Sequence, residues 1–439
     1  MLEPLYTADE MRAAEAGHDV DAMMELAGRG VAEAVLRRYP DARRIACVCG
    51  GGANGGDGRI AARVLREAGR DAVEELVDGA DLVVDALFGT GFHGEPRPET
   101  AEPIERMNRA AAPVVAVDVA SGVNASTGEV AGAAVRADVT VTMHAPKVGL
   151  AVAPGRFHAG EVEVVPIGVE HSETRNRLVT DEILRLVPRR RAEDNKYSAG
   201  AVLVVGGAPG LTGAVCLAAE AAFRADAGYV AVAVPEQSLP VVELRLLEAV
   251  KRPADDIDEL LPRMRALALG PGLGRGAEER ALVRRLLEGT SIPAVVDADA
   301  LHELEPFERD AATVLTPHSG ELARLIGESS SWVDTHRLEA LARAVERFGC
   351  VVLLKGADTL IGAPGEGVLV HVSTEAGLAT AGTGDVLTGI VGAFLAKGLD
   401  ARIAAAAAAA AHARAARLAP QQAGLVASDV ISLLPRALA

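Results

Sequence analysis

The sequence predicts an α/β protein of two domains, each an open sheet of mostly parallel strands wound with helices. Three observations carry this. Short aliphatic runs alternate with longer stretches of helical spacing in both halves. Nearly every such run ends in glycine or a polar residue, as strands of a doubly wound sheet do at their ligand-binding ends. Between the halves, residues 170–177 (Glu-His-Ser-Glu-Thr-Arg-Asn-Arg) are polar and without periodicity, which sets expected domains of 1–172 and 173–439. A chain of 439 residues suits two domains at ~100–200 residues each.

In the first half, Thr7-Ala8-Asp9-Glu10 has the form of a capping box and opens a helix. A second helix follows Asp21, with Met24, Ala27, Val31, Ala34 and Val35 on one face. Residues 45–49 read as a buried strand, 50–58 as a glycine-rich loop and 59 to about 69 as the next helix. That order is the layout of a nucleotide-phosphate turn. Further strands are expected at 82–87, 114–119 and 139–143, with helical stretches between them and right-handed crossovers. Asn54 and Asp57 follow the first strand, and Asp85 with the run 89–95 follows the second. Asp118 and Ser121 follow the third, and Lys147 the fourth. Ligands bind outside such strand ends, so these residues should converge. Asn54, Asp85 and Ser121 offer oxygen ligands with one formal charge, which suits a hard monovalent cation. Each alone is also an ordinary turn residue; their recurrence at successive strand ends argues for a site.

In the second half, strands are expected at 201–205, 229–234, 266–269, 294–296, 314–316 and 351–354. Thr316 should cap a helix with Pro317 at its first position, and His318 at that start should stay neutral and hydrogen-bond the substrate. Asp297 and Asp299 suit either magnesium with nucleotide phosphates or a helix cap. The centre of this half is Gly382-Thr383-Gly384-Asp385. A helix follows with Leu387, Ile390, Val391, Phe394 and Leu395 at helical spacing, and Gly398 at its end. A helix start has unpaired N–H groups and partial positive charge, and glycines let a phosphate reach them. Asp385 beside that anion site is placed to take a proton from a hydroxyl meeting a phosphoryl group. The structural alternative makes Asp385 a cap, but Thr383 could already serve as one.

Composition narrows the partners. A net charge of −17 disfavours nucleic acid and anionic membranes. Aromatics make up 3% of residues, so the core must be built from Ala, Val and Leu. Cys47, Cys49, Cys216 and Cys350 complete no zinc site and read as reduced thiols of a cytoplasmic protein. Glu3, Asp9 and Glu10 argue against a signal peptide. The apolar run 404–411 is too short to span a bilayer and reads as a tightly packed helix, equally suited to subunit packing in a homo-oligomer. Arg189, Arg190 and Arg191 read as a solvated turn.

The run Gly377-Leu-Ala-Thr-Ala-Gly-Thr-Gly-Asp-Val-Leu-Thr-Gly resembles the signature of the ribokinase-like superfamily. Within it, the match is to the ADP/ATP-dependent NAD(P)H-hydrate dehydratases, whose catalytic aspartate falls on Asp385. The resemblance implies a ribokinase-like α/β/α domain. Hydrated nicotinamide nucleotide would lie against Ala214, Gly272, His318 and Asp385. ADP or ATP with Mg2+ would lie against Lys355, Gly356, Ala357, Asp358, Thr359, Gly382, Thr383 and Gly384. Residues 5–169 resemble the NAD(P)H-hydrate epimerases, which have a Rossmann-like fold. The family loop G-x-G-N-N-G-G-D-G matches 50–58, with Ala53 replacing the first Asn, and the match continues at 85–91, 117–122, 127–128 and 145–149. It implies potassium on Asn54, Asp85 and Ser121. Substrate would lie along Ala53, Asn54, Gly55, Gly56 and Asp57, and along Gly89, Thr90, Gly91, Phe92, His93, Gly94 and Glu95, with Asp118 near the reacting ring. Asp118 and Lys147 form an acid/base pair, either of which could move the proton. Asn195 and Glu375 depart from the dehydratase pattern. Together the resemblances imply a bifunctional repair enzyme that epimerises hydrated NADH and NADPH and dehydrates one epimer at the expense of ADP or ATP. The rival reading is a small-molecule kinase joined to a non-catalytic NAD(P)-binding module.

Overall fold

The computed structural model describes residues 1–170 and 172–439; His171, in the expected boundary stretch, lies outside the described residues. The chain divides into two compact units. One comprises Pro4–Arg177 with Asp334–Arg337, and the other comprises Met1–Glu3, Leu178–Val333 and Leu338–Ala439.

In the N-terminal unit Thr7 caps the helix Ala8–Glu15 with the expected reciprocal box to Glu10. The next helix, Val20–Arg38, starts ahead of Asp21, because the Asp19 carboxylate accepts the N–H groups of Asp21 and Ala22 at 3.0 and 3.2 Å. Six parallel strands run in the order Asp71–Val73, Arg44–Cys49, Leu82–Ala86, Val114–Val117, Val139–Met143 and Glu161–Val165. The first and last of these were not expected. Asp71–Val73 is only three residues long, and Glu161–Val165 alternates charged with apolar positions at a sheet edge, where Arg38 pairs with both Glu161 and Glu163. No helix joins Val114–Val117 to Val139–Met143, contrary to expectation; turns span that connection.

The main correction concerns the glycine run. The helix starts at Ala53, not Arg59, and continues to Glu67, so Asn54 and Asp57 sit in its first turns. Glycine here serves close packing of the helix on the sheet: a Cβ on Gly55 would lie 1.9 Å from the Gly50 carbonyl oxygen, and one on Gly58 2.5 Å from Ala86 Cβ.

In the C-terminal unit, among the described residues, eleven strands form one sheet. Its parallel centre runs Val250–Pro253, Tyr229–Val234, Ala201–Val205, Ala266–Leu269, Ala294–Val296, Thr313–Leu315 and Val351–Leu354. Antiparallel Asp358–Gly362 and Leu369–Val372 follow, then the short edge strands Asn176–Val179 and Leu2–Leu5. The sequence had placed Asp358 and Thr359 in a loop, but they open the first antiparallel strand. Helix Thr383–Ala396 is almost wholly buried between Thr212–Arg224 and the alanine helix Ala401–Arg417. Lys397 caps it, and Gly398 follows at φ +83°, as a left-handed helix stop requires. Small side chains permit the close approach: a Cβ on Gly389 would stand 2.2 Å from the Ala218 carbonyl oxygen. No helix among the described residues is long and apolar enough to cross a membrane.

Gly389→Ala should therefore cost about 1–3 kcal/mol through overpacking. Gly289→Ala, whose added methyl meets nothing within 4 Å, should stay within about 0.5 kcal/mol of the parent. Denaturant unfolding of the two variants checks the contrast.

Candidate active sites

In the N-terminal unit the chain leaves Arg44–Cys49, adds Asp71–Val73 on one side, and returns to place Leu82–Ala86 on the other. This reversal of strand order opens a crevice at the carboxyl ends of Arg44–Cys49 and Leu82–Ala86. A cavity of about 620 Å³ lies there, with Ala53, Asn54, Asp57, Gly89, Thr90, Gly91, Phe92, His93 and Asp118 in its lining. One wall is apolar, built from Met23, Met24, Met143 and Ile167, with Phe88 stacked on Phe92 at 4.7 Å. Gly55 and Gly56 lie outside the lining; an added Cβ would meet the Gly50 carbonyl oxygen on the first and Met24 on the second. Gly94 and Glu95 lie outside the lining, and Glu95 packs on Gly132.

Asp118 and Lys147 meet in this site. Lys147 Nζ donates to Asp118 Oδ1 at 2.5 Å, to Thr142 Oγ1 at 2.9 Å and to the Met143 carbonyl at 2.8 Å. Thr142 Oγ1 and the Met143 N–H also donate to the same carboxylate oxygen. Lys147 is 1% exposed, and Asp118 sits at φ +67°, a conformation that a non-glycine residue holds only where its surroundings impose it. Asp57 has its carboxyl pushed up to about 8, by burial first and then by the Asp118 and Glu15 charges, against Lys147.

Asn54, Asp85 and Ser121 also come together. Ser121 donates its hydroxyl to Asp85 Oδ1 at 2.6 Å and its N–H to Oδ2 at 2.8 Å. Asn54 Nδ2 donates to the Phe88 carbonyl at 2.7 Å, while its Oδ1 is buried without a donor. Burial pushes Asp85 up to about 6 against these hydrogen bonds. An orphaned carbonyl oxygen beside a buried carboxylate fits a monovalent cation. Among the described residues no group of three His, Cys, Asp or Glu could hold a metal, which a site of amide, hydroxyl and single carboxylate does not need.

In the C-terminal unit the equivalent reversal lies between Ala201–Val205 and Ala266–Leu269. Gly272, at φ +59°, brings the turn after Ala266–Leu269 against Ala214, where its Cβ would lie 3.2 Å from that of Ala214. Further along the same sheet, Asp297 is 1% exposed. It accepts from Lys355 Nζ at 2.5 Å and from the Thr388 hydroxyl at 2.6 Å. Neither it nor Asp299 caps a helix through its side chain; Asp299 holds Arg275 Nε at 2.7 Å and the Gly274 N–H at 3.1 Å. Gly382 is the N-cap of Thr383–Ala396, at φ +90° and without a side-chain cap. Thr383 does not cap as the sequence suggested; its hydroxyl donates back to the Leu378 and Thr380 carbonyls at 2.8 Å. The helix start is thus open, and a Cβ on Gly384 would come within 3.4 Å of Lys355 Nζ.

Asp385 lies in that first turn, half-buried, and its carboxyl is pushed up to about 7. Burial is the largest cause; Asp297, Asp299 and Glu321 add to it, and Lys355 opposes it. Burial works against the Lys355 ammonium, yet Asp297, Glu321 and Asp385 outweigh it and raise its pKa.

His318 itself, not Thr316, caps the helix Ser319–Ile326, because Glu321 stands three residues on and closes a capping box with it. Its Nδ1 accepts the Gly320 N–H at 3.0 Å, so the neutral ring carries its proton on Nε2, on a side chain 57% exposed. Gly356 and Ala357 are exposed beside Lys355, whereas Asp358 and Thr359 are buried in their strand.

The two departures prove structural. Asn195 Oδ1 accepts the N–H groups of Tyr197 and Ser198, an Asx turn. Glu375 is buried under Ser373, Thr374 and Arg417, the last at 2.8 Å. Arg189, Arg190 and Arg191 are held by carbonyls and carboxylates of their own unit. The sequence did not single out Glu15, Thr142, Thr388 or His412. The last is a buried imidazole against the Thr383 backbone, held down to about 4 by burial, then by Lys355 and His371. A threonine in a strand or a histidine in an alanine helix carries no local signal of such a role.

A family model described as NAD(P)H-hydrate dehydratase matches residues 202–436. A second, described as YjeF-related protein N-terminus, matches 20–77 and 70–149. The bifunctional NAD(P)H-hydrate repair enzyme Nnr of Moorella thermoacetica is 38% identical over 94% of this chain and 91% of its own. The chain belongs to the family of bifunctional NAD(P)H-hydrate repair enzymes. The Escherichia coli member is 32% identical over 98% of this chain and 93% of its own. Among solved structures, an ADP/ATP-dependent NAD(P)H-hydrate dehydratase from Bacillus subtilis, co-crystallised with ATP/Mg2+, is 28% identical. It superposes with a TM-score of 0.55 over 59% of this chain and 96% of its own. Family membership leaves the kinase with a non-catalytic partner module as the weaker reading.

Glu375 carries a buried charge whose cationic partner among the described residues is Arg417, so Arg417→Ala should destabilise the C-terminal unit by about 1–3 kcal/mol. A Glu375→Gln, Arg417→Ala double variant should lose less than the sum of the singles, as denaturant unfolding would measure.

Proposed function

We propose that the chain repairs hydrated NADH and NADPH in two steps: the N-terminal unit interconverts the R and S epimers, and the C-terminal unit dehydrates the S form with ADP or ATP. The observation that carries the second step is Asp385, an aspartate brought to near neutrality at the mouth of an uncapped, glycine-built helix start beside Lys355. A base with a pKa near the working pH is well matched to take a proton from a hydroxyl. Hydroxide is a poor leaving group and phosphate a good one. Asp385 takes the proton of the substrate hydroxyl as that oxygen attacks the terminal phosphoryl group. Lys355 and the N–H groups expected in the Gly382–Gly384 run hold the charge that spreads over the transferring phosphoryl oxygens, Gly384 foremost, since the Thr383 N–H donates to the Thr380 carbonyl. The transfer leaves AMP or ADP; the C–O bond then breaks as the nitrogen lone pair forms C=N⁺ and phosphate departs, and a proton lost from the adjacent ring carbon to phosphate or water restores the ring double bond. Asp297 and Thr388 fix Lys355 in place. Mg2+ would ride on the nucleotide phosphates and neutralise their charge; of the two carboxylates the sequence offered it, Asp297 is committed to Lys355 and Thr388, which leaves Asp299. The ATP/Mg2+ complex of the Bacillus protein supports that choice. His318 Nε2–H would donate to the substrate.

In the N-terminal unit the cavity seats the damaged ring against its Met and Phe wall. Asn54, Asp85 and Ser121 would hold K+, whose charge would orient the loop that carries Phe88 to His93.

Asp385→Asn should abolish nucleotide-dependent recovery of NADH absorbance from hydrated NADH while leaving epimer interconversion at the parent rate. In the parent, dehydratase kcat/KM should fall on acidification through about pH 7, since the base works ionised. Retained turnover in the variant would exclude this role.

K+ should raise the melting temperature relative to choline, most steeply above pH 6, where Asp85 ionises. Asn54→Leu should lose that response; a K+ shift that survives in Asn54→Leu places the ion elsewhere.

A further inference from the structure

We propose that Asp57 is the proton donor of the epimerase site and Asp118 the acceptor, with Glu15 a third carboxylate facing them in the same cavity. The inference rests on the epimerase reading of this cavity.

All three carboxyl groups line the one cavity. They are not equivalent. Asp118 is clamped, with Oδ1 taking Lys147, Thr142 and the Met143 N–H, so its charge is matched by the buried ammonium. Asp57 and Glu15 show no side-chain hydrogen bond among the described residues, which leaves both to the cavity. Three carboxylates therefore face one lysine. Lys147 is committed to Asp118, and the surplus negative charge falls on the other two. Glu15 ends the helix Ala8–Glu15, where the helix dipole also disfavours a carboxylate. Its carboxyl is raised by burial and then Asp118, against Lys147 and His18. Asp57 stands in the first turns of Ala53–Glu67, where the dipole would favour its charge. Burial, Asp118 and Glu15 overcome that and hold it protonated up to about pH 8. His93 in the cavity lining and His18 beside Glu15 complete the titratable groups that face the pair.

The chemistry needs this division. Hydrating the enamine double bond of a reduced nicotinamide puts the hydroxyl on the carbon attached to the ring nitrogen. Inverting that carbon begins as its C–O bond breaks, the nitrogen lone pair forms C=N⁺, and the oxygen leaves as water with the proton from Asp57. Water then adds to the opposite face, the C=N electrons return to nitrogen, and the released proton passes to Asp118. One proton leaves Asp57 and one reaches Asp118 per inversion, and exchange with solvent resets both. Two ionised carboxylates could not start the sequence, because neither would carry the proton that the departing oxygen takes.

The test uses the full chain and a single hydrate epimer, following epimerisation above the spontaneous rate across pH. Asp57→Asn cannot give up a proton and should lower epimerisation by ~10²-fold or more, with the dehydratase rate and both melting transitions as in the parent. Glu15→Gln should stay active but move the alkaline limb of epimerase kcat/KM down by about 0.5 pH unit or more, since removing a like charge lets Asp57 ionise earlier. Asp57→Asn within about 3-fold of the parent, or an unmoved alkaline limb in Glu15→Gln, overturns the proposal. A parent chain that fails to interconvert the epimers at all would instead sink the epimerase reading beneath it.

Discussion

Each unit is organised around one lysine–aspartate pair at 2.5 Å, Lys147 with Asp118, where the lysine is fully buried, and Lys355 with Asp297, where the aspartate is buried and the lysine partly so. A lysine taken out of water needs a close carboxylate and further acceptors to compensate its lost hydration. Thr142 and the Met143 carbonyl provide the acceptors in one unit. In the other, Thr388 fixes the far oxygen of the carboxylate. Once paired, each lysine offers a further carboxylate only part of the stabilisation that burial takes away. A further carboxylate in the same low-dielectric space then has too little cation to face, and it takes up a proton: Asp57 near 8 and Asp385 near 7. The pair is the scaffold, and the unmatched acid beside it is the group with chemical work to do.

Backbone packing puts those groups where a substrate can reach them. Gly50 is the first residue after Arg44–Cys49, the strand at which the order of its sheet reverses, and its Cβ would sit 2.1 Å from the Leu87 carbonyl oxygen. Gly206 holds the same place in the other unit, where its Cβ would sit 2.0 Å from the Pro271 carbonyl oxygen. In both sheets the chain touches itself at the point where strand order reverses, and only a missing side chain allows it. The following helix is then pinned close over the strand ends, with Asn54 and Asp57 on one such helix and Ala214 on the other.

Much of this was legible in the sequence, for identifiable reasons. Short aliphatic runs rich in β-branched residues and closed by glycine, such as Ala201–Val205, fit fully buried parallel strands, and Thr7 with Glu10 satisfies a helix start locally. The open helix start at Gly382 follows from two glycines before a periodic apolar run. What the sequence hid depends on distant partners. Glycines at 55 and 58 look like loop residues until the strand they pack against is in place. His318 looked like a ligand-facing residue after a cap, and it is the cap, because Glu321 completes the box. Glu375 read as an intrusion near the nucleotide until Arg417, on the alanine helix, was seen to hold it. Thr142 and Thr388 acquire meaning only from the lysines they help to fix.

The two unmatched acids also set the conditions under which one chain can do both jobs. In the role proposed above, Asp385 works as an ionised base, so its step would fail as pH falls below about 7. Asp57, as the donor proposed above, would have to keep its proton, so its step would fail as pH rises above about 8. Both carboxyls are displaced upward by burial, yet their opposite roles turn the same displacement into opposite limits. The interval between them is where neither epimer accumulates. Had the first site used an ordinary carboxylic acid, titrating near 4, the donor would be ionised wherever the base of the second was ready. The surplus of acid over lysine in the N-terminal cavity, costly as it is to bury, is what lets the two half-reactions share a pH.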